Sequence, residues 1–208
     1  MRSRVPDLRR RCRRCYFPPA HCLCPDIPRL ETATRVIFVR HASERVRTTN
    51  TGRWAALALA RSEVLEHAVA GAPLDAARLA GGRVAVLFPG GRADRPEPCP
   101  ETLVVLDGTW AQARRMLQRI PALRSLPRLS LPGRPGERLR LPTVAQGMST
   151  IEALASALEV LGESAAARSL GELHRRAVTR GRALRWPGRS APDEGSGPGL
   201  GEPPSPRE

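Results

Sequence analysis

The chain has 208 residues, enough for one domain with a buried core. Its formal net charge is +14, from 34 basic and 20 acidic residues, and every Lys-or-Arg position is Arg. No apolar run approaches the ~20 residues that a membrane-spanning helix needs, and the basic N-terminus lacks the apolar stretch of a signal peptide; a cytoplasmic protein with no membrane partner and no obligate protein partner is expected.

The positive charge is unevenly placed. Residues 1–15 hold seven Arg against one Asp, and residues 168–186 hold six Arg against one Glu. The tail from Pro187 carries two Arg and four acids, so the basicity belongs to the part that folds. Clustering of this kind is the footprint of a polyanion binder. The alternative is a generally Arg-rich solvated surface; on the nucleic-acid reading, Arg11, Arg13 and Arg14 at one end, with Arg175, Arg176, Arg180 and Arg182 at the other, are the candidate RNA contacts.

Three segments follow one another. Residues 1–31 are rich in Arg, Cys and Pro and show no hydrophobic periodicity. Here Cys12, Cys15, Cys22 and Cys24 are spaced C-x2-C-x6-C-x-C. Four thiolates within 13 residues suit a closed, tetrahedral, structural zinc site, because the short knuckles let paired sulfurs face one ion. His21 is the substitute ligand, and Cys99, between Pro98 and Pro100, is a bystander.

Residues 32–186 alternate strand and helix patterns. Arg35–Val39, Arg83–Phe88 and Thr102–Leu106 read as short buried strands. The stretch 51–69 reads as a helix capped by Asn50 or Thr51. A second helix follows Leu106, with Thr109 as cap and Gln112 at capping-box spacing; Ala113, Met116, Leu117 and Ile120 recur at helical period and are expected to face a sheet. Ser149-Thr150-Ile151-Glu152 opens a third helix, whose apolar stripe is Ile151, Leu154, Ala155, Leu158 and Leu161. Strands without polar alternation, separated by helices, predict an α/β domain with a largely parallel, covered sheet. Residues 187–208 contain no large apolar residue except Leu200 and are expected to be disordered.

In open α/β sheets ligands gather beyond the carboxyl ends of the strands. Asp107 ends a buried strand, Gly108 permits a sharp turn or a close approach, and Thr109 caps the next helix, whose first N–H groups point at the same spot. On spacing alone, Asp-Gly is equally good turn chemistry and Trp110 equally good core.

Asp107-Gly108-Thr109-Trp110 resembles the D-x-T-W motif of the DTW-domain family, the tRNA-uridine aminocarboxypropyltransferases. The resemblance extends to the Cys cluster, to His41-Ala42-Ser43-Glu44 followed by Asn50-Thr51-Gly52-Arg53, to Leu87-Phe88-Pro89 and to Ser149-Thr150-Ile151-Glu152-Ala153, in that order over residues 12–153. One departure is Ala42, where the family pattern has Pro after the His. The resemblance implies a SPOUT-like α/β domain that binds S-adenosylmethionine and transfers its 3-amino-3-carboxypropyl group to N3 of a tRNA uridine, leaving 5′-methylthioadenosine. Uridine N3 is a weak nucleophile until its proton leaves, so Asp107 is the candidate base, or else the charge partner of the cofactor, with Thr109 and Trp110 in the catalytic loop. Leu87, Phe88, Pro89, Gly108, Ser149 and Thr150 would line the cofactor pocket. His41, Glu44, Arg45, Asn50 and Thr51 would complete a substrate or cofactor pocket. The rivals are a methyltransferase of the same fold and a zinc-containing RNA-binding module without catalysis.

Overall fold

The computed structural model describes residues 7–68, 74–92, 96–131 and 147–184; the expected disordered tail, 187–208, lies outside them. Five strands form one sheet in which every pairing is parallel: β1 (Arg35–His41), β2 (Ser62–His67), β3 (Val84–Arg92), β4 (Thr102–Asp107) and β5 (Arg128–Leu129), in the order β2-β1-β4-β3-β5. The helices are α1 (Thr51–Ala58), α2 (Trp110–Arg119), the single turn α3 (Pro121–Arg124), α4 (Thr150–Val160) and α5 (Ser164–Ala183). The expected α/β class with a parallel sheet is what the molecule shows.

Alternation along the strands divides the core in two. Val36, Phe38, Leu103 and Val105 point to one face, where α1, α4, α5 and the cysteine segment pack. Ile37, Val39, Val104 and Leu106 point to the other, against Ala113, Met116, Leu117 and Ile120 of α2 and Leu123 of α3. Successive strand residues face opposite ways, so a strand covered on both sides must be apolar throughout, as β1 and β4 are. Both anticipated capping boxes form, at Thr109/Gln112 and at Ser149/Glu152. Asn50, not Thr51, caps α1, accepting from the Arg53 N–H at 2.6 Å.

Two expectations need correction. The helix over 51–69 stops at Ala58, and Ser62–His67 is the edge strand β2. The break has a local cause. Leu30 pairs with Leu59 in a parallel bridge, with Leu30 N–H donating to the Ala58 carbonyl and Ala60 N–H to the Leu30 carbonyl. The Ser62 hydroxyl donates to the Ala56 and Leu59 carbonyls, satisfying a helix end. Glu63 and Glu66 then pair with Arg35 and Arg40 of β1, giving β2 its polar cross-strand contacts. Second, β3 runs beyond Phe88 to Arg92 and gains a neighbour, β5, that the sequence reading lacks. Beyond Leu87, β3 leaves β4 and follows β5 with a register shift. Gly91 permits this, since a Cβ there would lie 2.1 Å from the Arg128 carbonyl oxygen.

The cysteine segment is part of the main core: Cys15, Phe17 and Leu23 are fully buried beside Trp54. Leu154 of α4 is also fully buried. Leu154→Ala should therefore cost about 2–5 kcal/mol of stability, measured as a lower denaturation midpoint with an unchanged m value in urea.

Candidate active site and metal centre

The carboxyl ends of β1 and β4 and the N-terminal ends of α1, α2 and α4 converge on Asp107. This residue is 2% exposed. Asn50 Nδ2 donates to Oδ2 at 2.8 Å and the Thr150 hydroxyl to Oδ1 at 2.9 Å. The same Asn50 amide donates to Glu44 at 3.1 Å, and Glu44 is 1% exposed. One amide thus bridges two buried carboxyl groups. Desolvation pushes the Asp107 carboxyl above its ordinary 3.8; the Asn50 hydrogen bond works against this and the Glu44 charge adds to it. Gly52 is required beside this group, because a Cβ there would sit 2.6 Å from the Asp107 carboxyl carbon.

Above this floor lies a second layer. Trp110, 40% exposed, stacks on Phe88 with ring centroids 5.1 Å apart and planes 7° from parallel. Phe88 arrives there because β3 bends away from β4 after Leu87. Thr109 caps α2 and donates its N–H to Gln112 Oε1 at 2.8 Å. Gln112 Nε2 reaches the Ser43 hydroxyl at 2.9 Å and lies 3.2 Å from His41 Nδ1.

The candidate residues therefore divide. Asp107, Glu44, Asn50 and Thr150 form one hydrogen-bonded set; the Thr51 hydroxyl accepts from the Ile151 N–H, next in the chain to Thr150. Gly108 packs against Gln112 and His41, and Phe88 pairs with Trp110. Ser149 uses its hydroxyl to cap α4. Leu87 is half-buried in the sheet and Pro89 is exposed. Arg45 is exposed and contributes its carbonyl, which accepts from the Arg53 guanidinium at 2.7 Å. Gln112, Ser43 and Gly52 are the additions. Gln112 was legible only as a cap, and Gly52 only as a letter beside Asn50.

The four cysteines of residues 12–24 form the second centre. Their sulfurs lie within 4.8 Å of one another, with Cys12–Cys24 at 3.6 Å and Cys15–Cys22 at 3.7 Å. Thiolates placed tetrahedrally at ~2.3 Å from one ion have edges of about 3.8 Å, so this set could hold a metal. The Leu23 N–H donates to Cys15 Sγ, as knuckle amides do to thiolates. Burial opposes ionisation of Cys12, yet hydrogen bonds from the Cys15 and Arg14 backbone and from neighbouring thiols bring it down to about 6. Desolvation raises Cys22 and Cys24. A bound cation is what would let all four ionise together. His21 is exposed and outside the cluster. The centre is tied to the rest of the molecule by Trp54 Nε1, which donates to the Cys15 carbonyl at 2.9 Å, and by the Arg53 guanidinium over the Tyr16 ring at 3.8 Å.

The candidate RNA arginines have varied surroundings. Arg11 donates to the Tyr16 carbonyl, while Arg13 and Arg14 are exposed. Arg175 pairs with Glu172, Arg176 with Glu172 and Asp26, and Arg180 with Asp26 and the Cys22 carbonyl. Arg182 is exposed at the end of α5. Arg176 and Arg180 thus dock the cysteine segment onto α5.

A parallel α/β sheet with a buried carboxyl group and a stacked aromatic pair at its carboxyl edge, beside a four-cysteine cluster, is the kind of place where α/β proteins bind ligands. The DTW domain matches residues 9–181, and the chain belongs to that family. It is similar to the Drosophila melanogaster protein named tRNA-uridine aminocarboxypropyltransferase 2, at 27% identity over 171 residues, covering 75% of this chain and 68% of the relative. Proteins of the same name from Mus musculus (26% identical, 74% of this chain, 57% of theirs) and Macaca fascicularis (24%, 72% and 56%) also match. The chain therefore spans about two thirds of the fly relative and little more than half of the two mammalian ones. No solved structure matches it. Among the described residues, no helix is long and apolar enough to cross a membrane.

Two outcomes are expected. Gly52→Ala should displace Asp107 and lower the melting temperature by several degrees, with weakened ligand binding, whereas Gly171→Ala, whose Cβ would meet only the tip of Arg175 at 3.8 Å, should not. Cys12→Ser should lose bound metal, by elemental analysis, together with a cooperative thermal transition; loss of metal with an unchanged melt would show that the centre is not structural.

Proposed function

We propose that this protein transfers the 3-amino-3-carboxypropyl group of S-adenosylmethionine to N3 of a uridine in tRNA, with a structural zinc ion in the four-cysteine centre, in the cytoplasm. The observation that carries the reading is the convergence of the shared motifs outside the cysteine cluster on one sheet edge, around Asp107 and the Phe88–Trp110 pair. The relatives' names supply the reaction class, and residues 32–186 would form the catalytic domain.

The chemistry of the donor set fits the co-substrate. A sulfonium and an ammonium call for carboxylates, which Asp107 and Glu44 provide; an adenine or uracil ring calls for an aromatic face, which Trp110 presents. S-adenosylmethionine supplies an electrophilic carbon next to its sulfonium. The chain's residues choose which of the three carbons on sulfur meets the nucleophile, by positioning. In the transfer the uridine N3–H proton is released to solvent water and the N3–carbon bond forms with the nitrogen's electron pair. The sulfur–carbon bond breaks, its electrons stay on sulfur, and the now neutral thioether departs as 5′-methylthioadenosine.

Of the two roles open to Asp107, its burial and its two accepted hydrogen bonds favour the charge partner over the base. It holds the α1 and α4 ends in place and would supply negative charge to a bound sulfonium or ammonium. Thr109 and Gln112 set the start of α2 so that Trp110 lies over Phe88. Leu87, Pro89, Gly108, Ser149 and Thr150 would shape the cofactor side, with His41, Arg45, Asn50 and Thr51 around it.

Asp107→Asn retains size and turn propensity and can still accept from Asn50, so the fold should persist. Both cofactor affinity, by calorimetry, and transfer, by mass spectrometry of tRNA nucleosides and 5′-methylthioadenosine, should fall, transfer by about 10²-fold or more. Near-normal transfer would reduce Asp107-Gly108 to turn chemistry. Normal cofactor affinity without transfer would return Asp107 to the base role, and S-adenosylhomocysteine as product would establish the methyltransferase rival. The raised carboxyl pKa adds a pH dependence. On acidification Asp107 takes up its proton above pH 3.8, so cofactor affinity should decline at a higher pH than an ordinary carboxylate would give, and Asp107→Asn should abolish that limb.

A further inference from the structure

The arginines of this molecule fall into two populations. One is matched: Arg35 and Arg40 of β1 with Glu63 and Glu66, Arg78 with Glu63, Arg83 with Glu101, and on α5 Arg175 and Arg176 with Glu172 and Arg176 and Arg180 with Asp26. Residues 108–131 are different. They contain five arginines and no acidic residue. Arg114, Arg115, Arg119, Arg124 and Arg128 are all exposed, and none forms an ion pair with a described residue.

The fold turns this composition into a surface. Ala113, Met116, Leu117 and Ile120 bury one side of α2, so Arg114, Arg115, Gln118 and Arg119 occupy the outer side. Trp110 and Arg114 are four residues apart and therefore neighbours on that helix. The row Trp110, Arg114, Gln118 begins at the exposed aromatic pair and runs away from the site along a helix about 15 Å long. Arg115 and Arg119, also four apart, repel each other. The helix C-terminus favours Arg119; no described residue forms an ion pair with Arg114 or Arg115 in mid-helix.

We infer that the outer face of α2, continued by Arg124, is the surface on which the phosphate backbone of the tRNA lies, with Trp110 at the end where the target base enters. The inference rests on the reading of this chain as a tRNA-modifying enzyme. It relocates the main RNA contact from α5, whose Arg176 and Arg180 are committed to Asp26, to the helix that starts in the site. An unmatched cationic strip supplies the sequence-independent part of RNA affinity, and the aromatic face supplies stacking for an unpaired base.

The test compares two triple variants of equal charge change in the full chain. One is Arg114→Ala, Arg115→Ala, Arg119→Ala; the other is Arg29→Ala, Arg78→Ala, Arg83→Ala, at exposed positions that already have carboxylate partners. Binding of an unmodified tRNA transcript is followed by fluorescence anisotropy across a salt titration, with calorimetry of S-adenosylmethionine binding and a thermal melt beside it. The α2 triple should bind tRNA at least about tenfold more weakly. Its slope of log affinity against log salt should be smaller by about 3, roughly one per lost phosphate contact. Its cofactor affinity should be unchanged, and the other triple should stay near the wild type. Equal weakening by both triples, or wild-type affinity and slope in the α2 triple, overturns the inference. Should the triple not fold, Arg114→Ala and Arg115→Ala alone must each lower the slope by about 1, or the inference fails. If the α2 triple loses tRNA while the wild type forms no aminocarboxypropyl-uridine, the surface stands and the proposed reaction falls.

Discussion

The site depends on a carboxyl group that the fold has taken out of water. Asp107 belongs to β4, yet its two oxygens are held by Asn50 from the start of α1 and Thr150 from the start of α4. Burying a charge is unfavourable unless hydrogen bonds and neighbouring charges offset it, so removing any one of these partners is felt by the others. The bond from Asn50 also reaches Glu44, which places the loop after β1 in the same set. Segments 57 and 43 residues away in sequence are thereby fixed to one strand end. Gly52 follows from the same constraint, since the carboxyl group occupies the space a side chain would need.

The four-cysteine centre is coupled to this arrangement through α1. Trp54 is fully buried, donates to the Cys15 carbonyl and packs on Phe17, one turn along from the residue that caps the helix and holds Asp107. Asp26, next to the second knuckle, is drawn to α5 by Arg176 and Arg180. Burial works against its ionisation, and the two guanidiniums prevail, holding its carboxyl below the usual value. Some arginines of this basic chain thus tie segments together, and others form no ion pair among the described residues. Net charge alone cannot separate the two populations; pairing does.

The local features were legible in the sequence. Helix starts at Thr109 and Ser149 followed from capping boxes, because the hydrogen bonds involved span three residues. The apolar runs of β1 and β4 announced a sheet covered on both faces, and the spacing of the four cysteines announced a cluster that could hold a metal ion. The order of strands and the true extent of α1 were not legible. Ser62–His67 has helical company before it, and its strand character comes from pairing with β1 and from the Leu30–Leu59 bridge.

The sequence by itself therefore determined the α/β class, the helix caps, the cysteine centre and the position of Asp107 at a strand end, since each rests on residues close together in the chain. Only the tertiary structure decided what those residues touch. It buried the Asp107 carboxyl group under Asn50 and Thr150, set Phe88 against Trp110 by bending β3 away from β4, and paired Arg175, Arg176 and Arg180 of α5 while leaving the arginines of α2 without an ion pair among the described residues. Each of these outcomes depends on contacts between distant segments and on which side chains lose water, and no local pattern of residue types encodes either.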